Sequence, residues 1–502
     1  MSVRARFGFS LFANLFKAVI TFGTGMLVAR SLGPEQYGKM MFLLGTFTAV
    51  RQLFDVGSST AFFTFLSQRQ RSRRFVGWYF SWLGLQFLLT LTAVSLLFPA
   101  SWIQLIWKGE QRNLVILAFF AAYMQSVLWS VILQMGESQR LTGWTQGVAV
   151  TVALMHFLLI AIAWWGGWLV ICTVFGLMII EWSIAVAVIV KQLHFPVMPE
   201  EPDTPKSVFT EFWRYCQPLV LYSWLGFAYE FADRWLLQTY AGSEQQAYYS
   251  VAYQFGAIGA IATSSILNIF WKEIAEAHHQ NNHERVTMLY LRVSRGLFFV
   301  AAVGAGFLAP WVEDIMRIIL GATYVDGAST LMIMFFYPLH QSMGQIGGTM
   351  AYATGAVATY VKITMMVMVL STVLTYFVLA DAAASLPGLG LGSLGLASKM
   401  VVMQAFSVNA LAFYLSRSLD IKFDWLFQPV ATLACVAAGL LAYTVSQILI
   451  DVSSQIWLAL MVAGLLYAIL MLVLIGLSPS LVGLHRADLA AVIAMGLRFV
   501  HK

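Results

Sequence analysis

Charge is what this sequence has least of. Only 10% of its 502 residues are Asp, Glu, Lys or Arg, while 60% are hydrophobic and mean hydropathy is +0.77. A soluble globular chain carries roughly a quarter charged residues. So few charges cannot coat a water-facing shell, and most of the surface must face lipid. Cysteine is scarce too. Cys172, Cys216 and Cys435 are scattered and odd in number, with neither a disulfide framework nor a metal-ligand spacing. No glycine-rich P-loop, nucleophile elbow or zinc-helix motif occurs, so no cofactor or metal is expected and ATP hydrolysis is not carried here. The net charge of +6 has no basic domain outside the membrane to reside in. It reads as the positive-inside bias rather than as a nucleic-acid surface.

What is present is one apolar run after another. A span needs about 20 such residues. That ruler predicts an all-α integral membrane protein of about fourteen transmembrane helices, near 8–29, 39–66, 75–98, 113–135, 143–165, 168–190, 216–239, 248–271, 289–309, 327–350, 359–380, 394–415, 429–450 and 456–477. Arg4 and Arg6 precede a first run without a small-residue cleavage site, so it reads as a retained span. With the N-terminus inside, the dense loop of Arg69, Arg71, Arg73 and Arg74 and most other cations fall on the cytoplasmic side, and only Arg30, Lys39, Lys108, Arg112 and Arg317 lie outside. Both termini are therefore expected in the cytoplasm.

A polar stretch at 191–215, with Pro196, Pro199, Pro202 and Pro205, reads as a cytoplasmic linker between two halves. Its end, 207–215, has the pattern of a short amphipathic surface helix. The expected domains are a six-helix lobe at 1–190, the linker at 191–215, a second six-helix lobe at 216–415, and a helix pair with a cytoplasmic tail at 416–502. The halves share a faint pattern. Gly33-Pro34-Glu35-Gln36 and Gly242-Ser243-Glu244-Gln245 each open a span, with a Tyr soon after. Internal repetition of this kind suits a transporter with its site between the repeats.

The segment Val28-Ala29-Arg30-Ser31-Leu32-Gly33-Pro34-Glu35-Gln36-Tyr37-Gly38 resembles the opening of polysaccharide transporters, the Wzx-type oligosaccharide flippases of the multidrug/oligosaccharidyl-lipid/polysaccharide exporter superfamily. Asp55-Val56-Gly57, Asp233-Arg234, Gly321-Ala322-Thr323-Tyr324 and Gly390-Leu391-Gly392-Ser393-Leu394-Gly395 fit further, looser positions of the pattern. The resemblance implies two six-helix lobes around a cavity, alternating access, a bacterial cytoplasmic membrane, and export of an undecaprenyl-pyrophosphate-linked saccharide. Mid-span cations are fewer than in many relatives.

Ionised groups deep in a span cost at least about 2.5–3.5 kcal/mol, so each one present marks a cavity or a partner. Lys17, Arg51, Arg234 and Lys399 are the candidate phosphate-binding cations. Asp55, Glu181, Glu230 and Asp233 are the candidate ion-coupling carboxylates. Arg51 and Asp55 share a helix face, as do Glu230 and Arg234, so an ion pair that only fixes packing is an equal reading for them. Lys17 has Asp55 or Glu181 as alternative partners, and Lys399 has snorkelling to the outer surface as an alternative. Glu181 has no cation in its own helix, so it must pair across helices or stay protonated. His156 and His340 read as helix–helix hydrogen bonds. The run His278-His279 to His283 reads as a solvated helix end. A drug or cation antiporter on the same fold, or a polysaccharide polymerase or ligase, are the competing functions; the latter usually needs larger external loops than 99–112 and 310–326.

The orientation makes a direct prediction. Alkaline phosphatase fused after residue 110 is active, whereas fusions within 191–215 or at the C-terminus are inactive and fluoresce when made with green fluorescent protein. The reverse pattern would invert the topology.

Overall fold

The computed structural model describes residues 3–194, 204–280, 282–450 and 452–484. Among them the secondary structure is helical throughout. The helices are α1 (Val3–Asp55), α2 (Ser58–Gln68), α3 (Arg73–Thr92), α4 (Ala100–Ile106), α5 (Arg112–Ala122), α6 (Trp129–Ser138), α7 (Thr142–Trp165), α8 (Ile171–Val190), α9 (Pro205–Cys216) and α10 (Val220–Tyr240). They continue as α11 (Gly242–His279), α12 (His283–Leu308), α13 (Val312–Ile319), α14 (Ala328–Met334), α15 (Tyr337–Ala353), α16 (Val357–Leu379), α17 (Gly392–Ser418), α18 (Phe427–Leu449) and α19 (Val452–Leu477).

Ten helical segments among the described residues are long and apolar enough to cross a membrane, and the chain is a multi-pass membrane protein. The difference from the expected spans has identifiable causes. The first two join in α1, which is helical on both sides of Gly33 (φ 74, ψ 168), with Pro34 opening the second part. Only glycine takes this φ readily, and proline at a first helical position loses no hydrogen bond. Helix α10 is long enough, but Glu230, Asp233 and Arg234 fall within it. The span expected at 327–350 divides into α14 and α15 before Pro338, whose missing N–H and ring disfavour an unbroken helix. The span expected at 39–66 is broken at Val56-Gly57. The stretch 112–138 runs from α5 to α6 through a π-helical segment, Tyr123–Leu128.

The chain packs as two compact units. One comprises Met1–Ser250 with Met368–Leu396, and the other Val251–Val367 with Ala397–Lys502. In the first unit the two Gly-x-Glu-Gln corners meet. A side chain on Gly38 would collide with the Ser243 carbonyl, so glycine permits the close approach. The second corner then receives the Gly-rich segment, since Gln245 Oε1 accepts from the Ser393 N–H (3.0 Å) and hydroxyl (2.5 Å). In the second unit α18 lies against α12 with Gly306 and Gly439 backbone to backbone. Tyr467 of α19 donates to the Val303 carbonyl at 2.9 Å. His340 meets Gln428 at 3.0 Å, so it is a helix–helix hydrogen bond as its sequence context suggests.

The linker's end forms α9, capped reciprocally by Thr204 and Ser207. Its anchor is Arg71 of the basic loop, which is drawn inward. It is 2% exposed, makes a bidentate pair with Glu211 of α9 (2.9 and 2.7 Å), and lies over the rings of Phe65 and Phe75. Arg71→Ala should lower stability by about 1.5–3 kcal/mol, the range for hydrogen bonds to charged groups. Glu211 keeps some water contact, so the full cost of breaking a buried pair does not apply. Thermal unfolding of the purified protein measures it, with Arg71→Lys recovering only part because an ammonium lacks the planar fork.

Candidate functional site

The site begins where α1 fails to continue. Val56 and Gly57 take positive φ (40 and 83) and end α1 inside the span expected at 39–66. A β-branched residue in that region costs of order 1–3 kcal/mol. The Asp55 carboxylate offsets it by capping the next helix. It accepts from the Ser58 hydroxyl (2.9 Å), the Ser59 N–H (2.8 Å) and the Ser59 hydroxyl (2.8 Å), groups that α2 would otherwise leave unpaired in oil. Asp55 thus finds its hydrogen-bond donors within its own chain.

Beside this break lies a cavity of about 370 Å³ in the first unit. Gln52, Asp55, Gly57 and Thr60 line one wall, Tyr222, Ser223, Tyr229 and Glu230 another. Gln52 donates to Glu230 Oε1 at 2.6 Å across it. Gly226 makes room, since a Cβ there would sit 2.5 Å from Gln52 Oε1. Arg234, one turn along α10, lays its side chain against bare Gly45, and its charge attracts Glu230. Asp233 is buried and accepts from the Thr375 hydroxyl at 2.6 Å. Hydroxyls, an amide and two carboxylates in a hydrocarbon setting give a polyhydroxylated ligand replacements for water.

The other expected site residues are distributed differently. Arg51 does not pair with Asp55. Its guanidinium donates to the Ser126 carbonyl and to the Ser130 hydroxyl (3.3 Å). The π-helical turn supplies that carbonyl, because its altered register leaves backbone acceptors available. Lys17 bonds Asn14 at 3.2 Å, and the charge that attracts it is Glu137 of α6, not Asp55 or Glu181. Glu181 is 3% exposed and pairs across helices with His156 Nδ1 at 2.7 Å, so one contact meets both residues' expectations. Lys399 is 4% exposed, which removes snorkelling to water as its account, and it belongs to the second unit. Gln52, Tyr222, Ser223, Tyr229 and Thr375 were not singled out by sequence. Uncharged polar residues in a span are common enough to hide, although Gln52 adjoins Arg51 and precedes Asp55 by three positions.

Residues 3–271 match the polysaccharide biosynthesis protein family. The chain belongs to that family. No curated protein matches the sequence. The fold resembles that of a lipid II flippase, MurJ, in an inward closed conformation, with TM-score 0.69 and 13% identity over 92% of this chain and 98% of that one. It also resembles a multidrug resistance MATE transporter of the MOP superfamily in an inward-facing conformation, with TM-score 0.56 and 14% identity over 84% and 96%. A MOP superfamily transporter from Pyrococcus furiosus, described as having a binding pocket of reversed polarity, gives 0.53 and 12% over 83% and 95%. At these identities the likeness establishes a MurJ/MATE-like transporter fold. Family membership rests on the sequence match.

The Gln52–Glu230 bond can be tested directly. Gln52→Leu leaves a carboxylate without its donor and should cost about 1–3 kcal/mol. Adding Glu230→Gln should recover part of that, because a neutral amide is cheaper to leave unpaired than a charge. Unfolding midpoints of the two variants and wild type check the order.

Proposed function

We propose that this protein is a flippase that carries a polyprenyl-pyrophosphate-linked oligosaccharide, with undecaprenyl as the lipid, from the inner to the outer leaflet of the bacterial cytoplasmic membrane for surface polysaccharide biosynthesis. The observation that carries the reading is the hydroxyl- and amide-lined cavity at the Val56-Gly57 break, in a chain of the polysaccharide biosynthesis family. Sugar hydroxyls crossing hydrocarbon lose their water at several kcal/mol each unless bonds replace it. Gln52, Thr60, Tyr222, Ser223 and Tyr229 are suited to supply such bonds while the polyprenyl tail stays in lipid. Two six-helix lobes working by alternating access, with both termini cytoplasmic, complete the reading.

Phosphate needs cations. Lys17 and Arg234 are the proposed holders in the first unit and Lys399 in the second. Arg51, committed to the π-helical turn, acts as a positioning residue. Ion coupling is assigned to the carboxylates Asp55, Glu181, Glu230 and Asp233 as a group. Glycosyltransferases that build the lipid-linked unit and a polymerase that consumes it are the expected partners.

A cation antiporter is favoured by one observation, the carboxylates of Asp55 and Glu230 in the cavity wall. Both already have donors, Ser58 and Ser59 for one and Gln52 for the other, so neither offers a bare charge to a drug cation.

Lys17→Ala and Arg234→Ala are expected to abolish surface polysaccharide while the protein still inserts, with the lipid-linked intermediate accumulating on the inner leaflet. Wild-type polymer in both variants removes these cations from the mechanism. Dye efflux by cells expressing the protein, with polymer unaffected by its deletion, would replace the flippase by the antiporter.

A further inference from the structure

Helices α7 and α8 are joined by the short turn at 166–170, so the first residue of α7 and the last of α8 lie on the same side of the membrane. Between them runs a groove of about 450 Å³, lined by Gly143, Gly147 and Thr151 of α7, with Met155, and by Glu181 and Ile184 of α8. Trp144, Met155, Ile184 and Val188 on its rim are exposed, so it opens outward. Two features of this groove are unexplained within one chain.

The first is its floor. Gly143, Gly147 and Thr151 are spaced by four, one helical face. A Cβ built on Gly143 or Gly147 meets nothing within 4 Å. Glycine inside a helix is destabilising relative to alanine, and no neighbour among the described residues requires it here. Bare backbone on a lipid-facing helix is what another helix needs for close packing; an acyl chain does not need it.

The second is Glu181. Its Oε2 is bonded to His156, but its Oε1 is buried with no hydrogen-bond partner among the described residues. A buried oxygen left so in hydrocarbon is costly. Glu181 stands nine residues before the end of α8, about 14 Å from the surface at 1.5 Å per residue. With a hydrocarbon core of about 30 Å, lipid headgroups are out of reach. The donor has to come from a membrane-spanning helix.

The groove contains one at the right height. Thr151 is exposed and stands nine residues after the start of α7, so it lies at the depth of Glu181. A two-fold axis along the membrane normal preserves depth. We propose that α7 and α8 form the interface of a homodimer, in which the glycine face of each α7 packs on its partner and the Thr151 hydroxyl of one copy donates to Glu181 Oε1 of the other. Thr151 then turns from its own Gly147 carbonyl, which it contacts at 3.0 Å in the single chain, and the Glu181 carboxyl, whose Oε1 is enclosed in the single chain, turns toward the groove it lines. The surface is self-complementary, because every copy carries both the bare helix face and the donor. This inference stands apart from the transported substrate.

The test uses full-length protein in liposomes, with dimer fraction read by single-molecule photobleaching across protein densities. Wild type should pass from monomer to dimer. Gly147→Leu, which has room within its own chain, should raise the dissociation density at least tenfold, and Thr151→Val severalfold. Gly304→Leu, on an exposed position of α12 that is equally open, should leave it unchanged. In native membranes, with Cys172→Ser, Cys216→Ala and Cys435→Ala, oxidation should crosslink Thr151→Cys to twice the monomer mass and not Leu433→Cys on exposed α18. A monomer at every density, or a dimer indifferent to Gly147→Leu, or equal crosslinking at Leu433, overturns the proposal.

Discussion

The absence of water inside the bilayer governs every polar choice in this protein. A carboxylate, amide or guanidinium in a span must find its partner within protein, because nothing else at that depth can supply one. The partners are specific. Asp55 takes the hydroxyls and N–H of the next helical turn, Gln52 bridges to Glu230, Asp233 takes Thr375, and Glu181 takes His156. Arg51 reaches past its own helix to Ser126 and Ser130. None of these is an ion pair between neighbours on one helix, although the i, i+4 spacing of Arg51 and Asp55 invites that arrangement. Partners on other elements win because they tie helices together while the desolvated charge is satisfied.

The same constraint explains where the backbone is irregular. Breaking a helix in oil frees N–H and C=O groups, so a break persists only where side chains can take them up. The break at Val56-Gly57 is paired with Asp55, Ser58 and Ser59. The π-helical turn at Tyr123–Leu128 offers its Ser126 carbonyl to Arg51. The Val56-Gly57 break also borders the polar cavity, consistent with irregular backbone at membrane depth being tolerated beside cavities. Irregularity, buried charge and cavity therefore coincide in one region of the first unit.

The relatives sharpen this picture without replacing it. A fold shared with a lipid II flippase and with multidrug transporters is a frame that serves different cargo. What separates the cargos is the chemistry of the cavity wall. Here that wall is rich in hydroxyls, and its carboxylates already have donors, which is the basis of the saccharide cargo we propose.

Composition alone settled that the chain lives in a membrane, because 10% charge cannot solvate 502 residues. The apolar runs located the helices, Gly33-Pro34 and Gly242 marked real corners, and the rarity of charge in spans picked out Glu181, Glu230 and Asp233 as residues needing partners. The partners themselves were illegible. Sequence spacing reports which residues share a helix face, whereas Arg71 with Glu211, Gln52 with Glu230 and Asp233 with Thr375 are separated by 140, 178 and 142 positions. The break at Val56 was hidden as well, since one β-branched residue in a left-handed turn leaves no mark on hydropathy. Tertiary packing decided those pairings because only in the assembled bundle do distant polar groups become each other's sole substitute for water.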